Sequence, residues 1–205
     1  MKSFWDRMAG IYDLYELVNR RVNRQIEEIT AENIRKGDIV LDCAAGTGML
    51  TFAAARNAKC VLCTDLSREM LIIAKKKARS RGVFNVKFAL RDIFALKDRD
   101  GCFDRVMAGN VLHLLPDSDK AAKELIRVTK KGGKILLPTY VSEDNIVSRI
   151  AVGVIKIFGF DPSREYSFET YRAFIERIVG ENGCEGYEII LAKGLVPAAY
   201  AIITK

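Results

Sequence analysis

The chain has 205 residues, 49% hydrophobic and 29% charged, a composition that supports one globular domain with a substantial core and excludes a disordered or low-complexity protein. Its net charge of +7 comes from lysines and arginines spread along the sequence and interrupted by acids, so it describes a solvated surface and not a nucleic-acid footprint. Five cysteines without an even framework of loops point to a reducing compartment.

Residues 3–35 read as two helices. Phe4, Met8, Ile11, Tyr12 and Tyr15 lie along one side of the first, and Val22, Ile26 and Ile29 along one side of the second. Asp6, Arg7 and Asp13 break up any apolar stretch after Lys2, so no secretory pattern is present and a cytoplasmic protein is expected. Ile39, Val40 and Leu41 form an apolar run of buried-strand type, closed by Asp42 and released into a small-residue turn containing Ala44, Gly46 and Gly48. Small residues there let the backbone approach a ligand closely, and the N–H groups of the helix that follows, predicted over 49–57, point into the same space. A dinucleotide fingerprint would need glycines at 44, 46 and 49, where the chain has Ala44, Gly46 and Met49.

The next strand, predicted over 60–64, ends in Asp65. An acid there is placed to accept hydrogen bonds from both ribose hydroxyls of an adenosine, in NAD as in other nucleosides, or simply to flank the following helix. Cys60 and Cys63 sit three apart on this strand and point to opposite faces, so the two thiols do not converge. With only one histidine in the chain, no metal site is expected. Ser67 caps a helix with Met70, Ile73, Ala74 and Ala78 on one face and Lys75, Lys76, Lys77, Arg79 and Arg81 on a solvated one, closed by Gly82.

Residues 86–90 alternate as a third strand, followed by Asp92 and Ile93. A fourth, beginning near Phe103, runs into the small residues Ala108, Gly109 and Asn110. His113 follows in an apolar segment. With an unperturbed pKa near neutrality it reads as a general base, a ligand contact or a packed residue. A helix over 117–129 turns Ala121, Leu125 and Val128 inward, Lys130-Lys131-Gly132-Gly133 forms a turn, and 134–140 is a fifth strand. Residues 141–167 carry Ile146, Ile150, Val154, Ile157 and Phe158 at helical spacing, interrupted by Arg149 and Lys156, and are too short to span a membrane. They read as an apolar cover over a substrate or as a packing helix. A last helix over 168–179 precedes two strands, 186–192 and 198–204, that close as a hairpin. Strands alternating with helices predict an α/β, doubly wound sheet.

The pattern Asp42-x-Ala44-x-Gly46-x-Gly48 resembles motif I of class I S-adenosylmethionine-dependent methyltransferases, acid-x-Gly-x-Gly-x-Gly, with Ala44 in place of the first glycine. The segment from Phe4 to Asp13 is similar to the Phe-Asp-x-x-Ala-x-x-Tyr-Asp opening of the ubiquinone/menaquinone-biosynthesis type. Phe103-Asp104-Arg105-Val106, the stretch Leu112-His113-Leu114 with Pro116-Asp117, and Lys130-Lys131-Gly132-Gly133 are similar to further segments of that type. The resemblance implies a Rossmann-like seven-stranded sheet of order 3-2-1-4-5-7-6 with the last strand antiparallel. It further implies a single domain divided into an N-terminal helical lid (1–35), a cofactor-binding core (36–140), a candidate substrate cover (141–167) and a closing helix and hairpin (168–205).

The resemblance also implies S-adenosylmethionine as cofactor. Asp42, Ala44, Gly46, Gly48, Asp65 and Leu66 would line its site, Asp92 would take the adenine amino group, and Ile93 would pack on the ring. Gly109 and Asn110 would face the sulfonium and the methyl acceptor, and His113 and Tyr12 are the candidate catalytic residues. A small-molecule acceptor is expected, apolar if residues 141–167 cover it, with no nucleic-acid partner and no membrane span. Two other classes stand beside this one: a nucleotide-dependent oxidoreductase, which Ala44 and Met49 count against, and a non-catalytic protein that binds the same cofactor.

Overall fold

The computed structural model describes residues 19–142 and 166–205. The predicted first helix, with Tyr12, and most of the 141–167 segment lie outside them. Seven strands form one sheet in the order β3-β2-β1-β4-β5-β7-β6, as expected. They are β1 (Ile39–Cys43), β2 (Cys60–Asp65), β3 (Val86–Leu90), β4 (Phe103–Met107), β5 (Thr129–Tyr140), β6 (Gly186–Ala192) and β7 (Ala198–Thr204). β1 to β5 are parallel, and β7 runs antiparallel to both β5 and β6.

The central strands are largely apolar because both faces are covered, with Asp42 on β1 and Asp104 and Arg105 on β4 among the exceptions. On one face α1 (Arg20–Glu32) and α2 (Met49–Ala55) bury Val22, Ile26, Leu50 and Ala54 with Val40, Val61 and Met107. On the other, α4 (Ser118–Val128) and α5 (Phe168–Glu181) bury Leu125, Ile175 and Ile178 with Leu41, Val106 and Ile135. α3 (Arg68–Ser80) packs Leu71 and Ala74 with Cys63, so Leu71 takes the inward place expected of Ile73. Ser67 caps α3 by accepting from the Met70 N–H at 3.2 Å, and Asp117 caps α4 by accepting from the Lys120 N–H at 2.9 Å. No helix among the described residues is long and apolar enough to cross a membrane.

The structure departs from expectation at two places. α2 stops at Ala55, two residues short of the predicted end. The turn at Lys130–Gly133 is absorbed into β5 as a bulge, because Gly132 and Gly133 pair with the backbone of Lys205 at the end of the chain. A Cβ on Gly133 would come within 2.8 Å of the Lys130 carbonyl and 2.9 Å of the Asp104 carbonyl, so the bulge admits only glycine there.

The N-terminal part of α1 is tied to the β6–β7 connection. Asn19 Nδ2 donates to the Val196 carbonyl at 2.6 Å, Gln25 bonds the Lys193 backbone, and Gly194 sits so close to Val22 that a side chain at 194 would collide with it.

Candidate functional site

The carboxyl ends of β1, β2, β3 and β4 lie side by side, and the predicted site residues gather along that edge. Asp42 is level with Cys63 on β2 and Met107 on β4, and Asp65 is level with Leu90 on β3. This is where open α/β sheets bind ligands. The turn after β1 is built on left-handed backbone: Ala44 at φ +51°, Gly46 at +56° and Gly48 at +96°. The Ala45 N–H donates to the Thr64 carbonyl at 2.9 Å, fastening the turn to the end of β2.

Asp65 holds this arrangement together. One carboxylate oxygen accepts the Gly46 N–H at 2.8 Å, and the other accepts the Ser67 N–H at 2.7 Å. The acid therefore ties the turn to the start of α3 and stands, 8% exposed, at the mouth of the site. Leu66 beside it is 63% exposed, an apolar side chain held in solvent next to the candidate ligand position. Lys77, expected on the solvated face of α3, instead reaches the turn and donates to Thr47 Oγ1 at 2.9 Å.

Asp42 lies beneath the turn with no exposure at all. Its Oδ2 accepts the Thr51 hydroxyl at 2.5 Å, while Oδ1 is buried without a hydrogen-bond partner among the described residues. Burial lifts its carboxyl from 3.8 to about 7, the Thr51 hydrogen bond opposing this and the charge of Asp65 adding to it. Burial likewise raises the thiols of Cys43 and Cys63; all five cysteines are free.

Asp92 is exposed and accepts the Phe94 N–H at 2.9 Å, and Ile93 is buried in the core behind it. The connection carrying both is clamped by Arg127 of α4, whose guanidinium donates to the Leu96 and Asp98 carbonyls, Asp100 and Glu124. Beyond β4, a Cβ on Gly109 would lie 2.7 Å from Leu50 Cδ1, so the space behind the strand end is already filled. Asn110, at φ +52°, accepts the Tyr140 N–H at 2.9 Å and donates its own N–H to the Pro138 carbonyl, locking the ends of β4 and β5 together.

His113 belongs to a second group. It sits on a 3₁₀ turn (Leu112–Leu114), its Nδ1 3.2 Å from Thr139 Oγ1, its ring edge-on to Tyr166 at 6.5 Å. Burial pushes its pKa down to about 4, away from the neutral value expected of it. The chain leaves this group at Ser142 and returns at Tyr166, where the Ser142 N–H donates to the Tyr166 carbonyl at 2.9 Å. Thr51, Arg127 and Thr139 have no place in the sequence reading, and Lys77 enters it only as a solvated charge. Thr51 and Thr139 had one signal, a hydroxyl in an otherwise apolar stretch.

The strained Ala44 gives a direct check on the turn. A non-glycine residue in the left-handed region costs roughly 1–2 kcal/mol, part of which glycine returns through the flexibility of the unfolded chain. Ala44→Gly is therefore expected to raise stability by about 0.5–1 kcal/mol, read as a higher urea midpoint at unchanged slope. A lower midpoint would show that the alanine is unstrained.

A mixed sheet of this order, with an antiparallel β7 and an acid-ended second strand over a left-handed turn, defines the fold of the class I S-adenosylmethionine-dependent methyltransferases. A family model described as a methyltransferase domain matches residues 34–157, and the chain belongs to that family. Among curated proteins, the ubiquinone/menaquinone biosynthesis C-methyltransferase UbiE of Hydrogenovibrio crunogenus is 31% identical over 144 residues, covering 67% of this chain and 57% of that protein. The chain spans little more than half the length of the curated relatives it matches. Two solved structures share the fold. A SAM dependent methyltransferase from Aquifex aeolicus has a TM-score of 0.66 at 21% identity, covering 87% of this chain and 89% of that one. The magnesium protoporphyrin IX methyltransferase of Synechocystis, solved with bound SAH, has a TM-score of 0.67 at 16% identity, covering 89% and 83%.

Proposed function

We propose that the chain binds S-adenosylmethionine and transfers its methyl group in line to a small, apolar acceptor. The observation that carries this reading is the Asp65 carboxylate, held by two backbone N–H groups at the end of β2 against the left-handed turn. Asp65 would take the ribose hydroxyls, Asp92 the adenine amino group, and Leu66 and Ile93 the apolar contacts to the ring. Ala44, Gly46 and Gly48 keep the turn low enough for backbone contact. The buried Oδ1 of Asp42 is an acceptor that a cationic ammonium on the ligand would satisfy, so the residues fit this cofactor.

The bound cofactor supplies a methyl group already electrophilic on its sulfonium. The protein's own task is then alignment and exclusion of water. Gly109 and Asn110 shape the wall on the acceptor side, with His113 and Tyr12 the candidates for contact with the acceptor. With a pKa near 4, His113 is neutral at physiological pH and a weak base, which favours an acceptor that is already ionised or easily ionised. Because the curated relatives are named as C-methyltransferases, carbon acceptors are the first class to try. The free cysteines suit a cytoplasmic setting.

Calorimetric titration with S-adenosylmethionine, S-adenosylhomocysteine and NAD tests the reading. Both sulfur ligands are expected to bind, and Asp65→Asn, which loses the charge and can accept only one of the Gly46 and Ser67 N–H groups, is expected to weaken them about 100-fold. Binding of NAD with no binding of either sulfur ligand would overturn it.

A further inference from the structure

Thr139 lies near the carboxyl end of β5, level with Ala199 of β7, and is only 3% exposed. Its hydroxyl is 3.2 Å from Nδ1 of His113, and among the described residues it has no other side-chain partner. Two arrangements fit that distance. If Nδ1 carried the hydrogen, Thr139 would accept it and its own O–H would be left buried without an acceptor. If Thr139 donates, Nδ1 is an acceptor, the hydrogen of the buried hydroxyl is used, and the ring hydrogen must sit on Nε2, which is not among the fully enclosed polar atoms and is left to meet a bound molecule or solvent.

We propose that Thr139 is a positioning residue whose hydroxyl donates to Nδ1 of His113 and fixes the imidazole as its Nε2–H tautomer, so that the ring presents a hydrogen-bond donor and not a proton acceptor. With Nδ1 occupied, His113 can offer a bound molecule only its Nε2–H, which suits an oxygen or nitrogen lone pair on the methyl acceptor. This use of the ring rests on the methyl-transfer reading; the tautomer does not. Among the described residues Tyr166 is the titratable group packed against the ring, and the low basicity of His113 has burial as its cause. A donor on Nδ1 works in the same direction, since it stabilises the neutral ring.

His113 is the only histidine, so the full chain labelled with ¹⁵N-histidine gives a single imidazole to follow by nuclear magnetic resonance. In the wild type Nδ1 is expected to be pyridine-like and Nε2 pyrrole-like. Thr139→Val should lose that preference and titrate about one pH unit higher, because the bond to the neutral ring is gone, and Thr139→Ser should restore both properties. A pyrrole-like Nδ1 in the wild type, or a Thr139→Val midpoint that is unchanged or lower, would overturn the proposal. The wild-type spectrum decides the tautomer even if the valine variant fails to fold. Absence of cofactor binding alongside the expected spectrum would instead count against the methyl-transfer reading alone.

Discussion

Replacing Asp42 with asparagine is expected to flatten the pH dependence of stability between about pH 5 and pH 8, where the native carboxyl alone removes about 3 kcal/mol. The group is fully buried, and its pKa is raised from 3.8 in the unfolded chain to about 7 in the folded one. Between those values the native state holds a proton that the unfolded state has released. Raising the pH therefore favours unfolding, and the loss is complete once the native carboxyl has ionised above pH 7. Asparagine keeps an acceptor for the Thr51 hydroxyl and stays neutral throughout. Denaturant midpoints of both proteins at the two pH values check this. Parallel behaviour of wild type and variant would show that Asp42 is ionised across the range, its charge stabilised by a further group.

Gly48→Ala is expected to cost roughly 2–5 kcal/mol, combining left-handed strain with overpacking. At φ +96° the backbone lies beyond the region alanine tolerates, and the added Cβ would fall 2.8 Å from Cε2 of Phe52. The ring cannot simply turn aside: Phe52 is 8% exposed, and the Arg81 guanidinium covers it at 4.7 Å. Because Gly48 opens α2 through its carbonyl bond with the Phe52 N–H, the shift would also disturb the turn, and cofactor affinity should fall with stability. Thermal unfolding with and without S-adenosylhomocysteine separates the two effects. A variant as stable as the wild type would mean that the turn relaxes without strain.

Much of the fold was legible because its signals are local. Both closing strands and β3 begin and end where alternation and flanking turn residues place them, and the Ser67 and Gly82 signals mark the two ends of α3. The bulge in β5 was not legible, since its pairing partner is Lys205, far along the chain. The same holds within the site. Asp65 and the glycines announce themselves by position, whereas the orphaned oxygen of Asp42, the grip of Arg127 on the loop after β3 and the pairing of Thr139 with His113 exist only once distant strands are side by side. The basicity of His113 was the hardest to read, because a pKa reports surroundings that one residue's neighbours in sequence do not reveal.

The hydrogen bond from Ser142 to the Tyr166 carbonyl brings the two ends of the intervening stretch to one point on the scaffold. Loop-closure entropy grows slowly with length, so the cost of holding two points of a chain together depends little on how many residues separate them. That one bond therefore holds the end of β5 and the start of α5 in register beside His113, whatever number of residues the chain places between Ser142 and Tyr166.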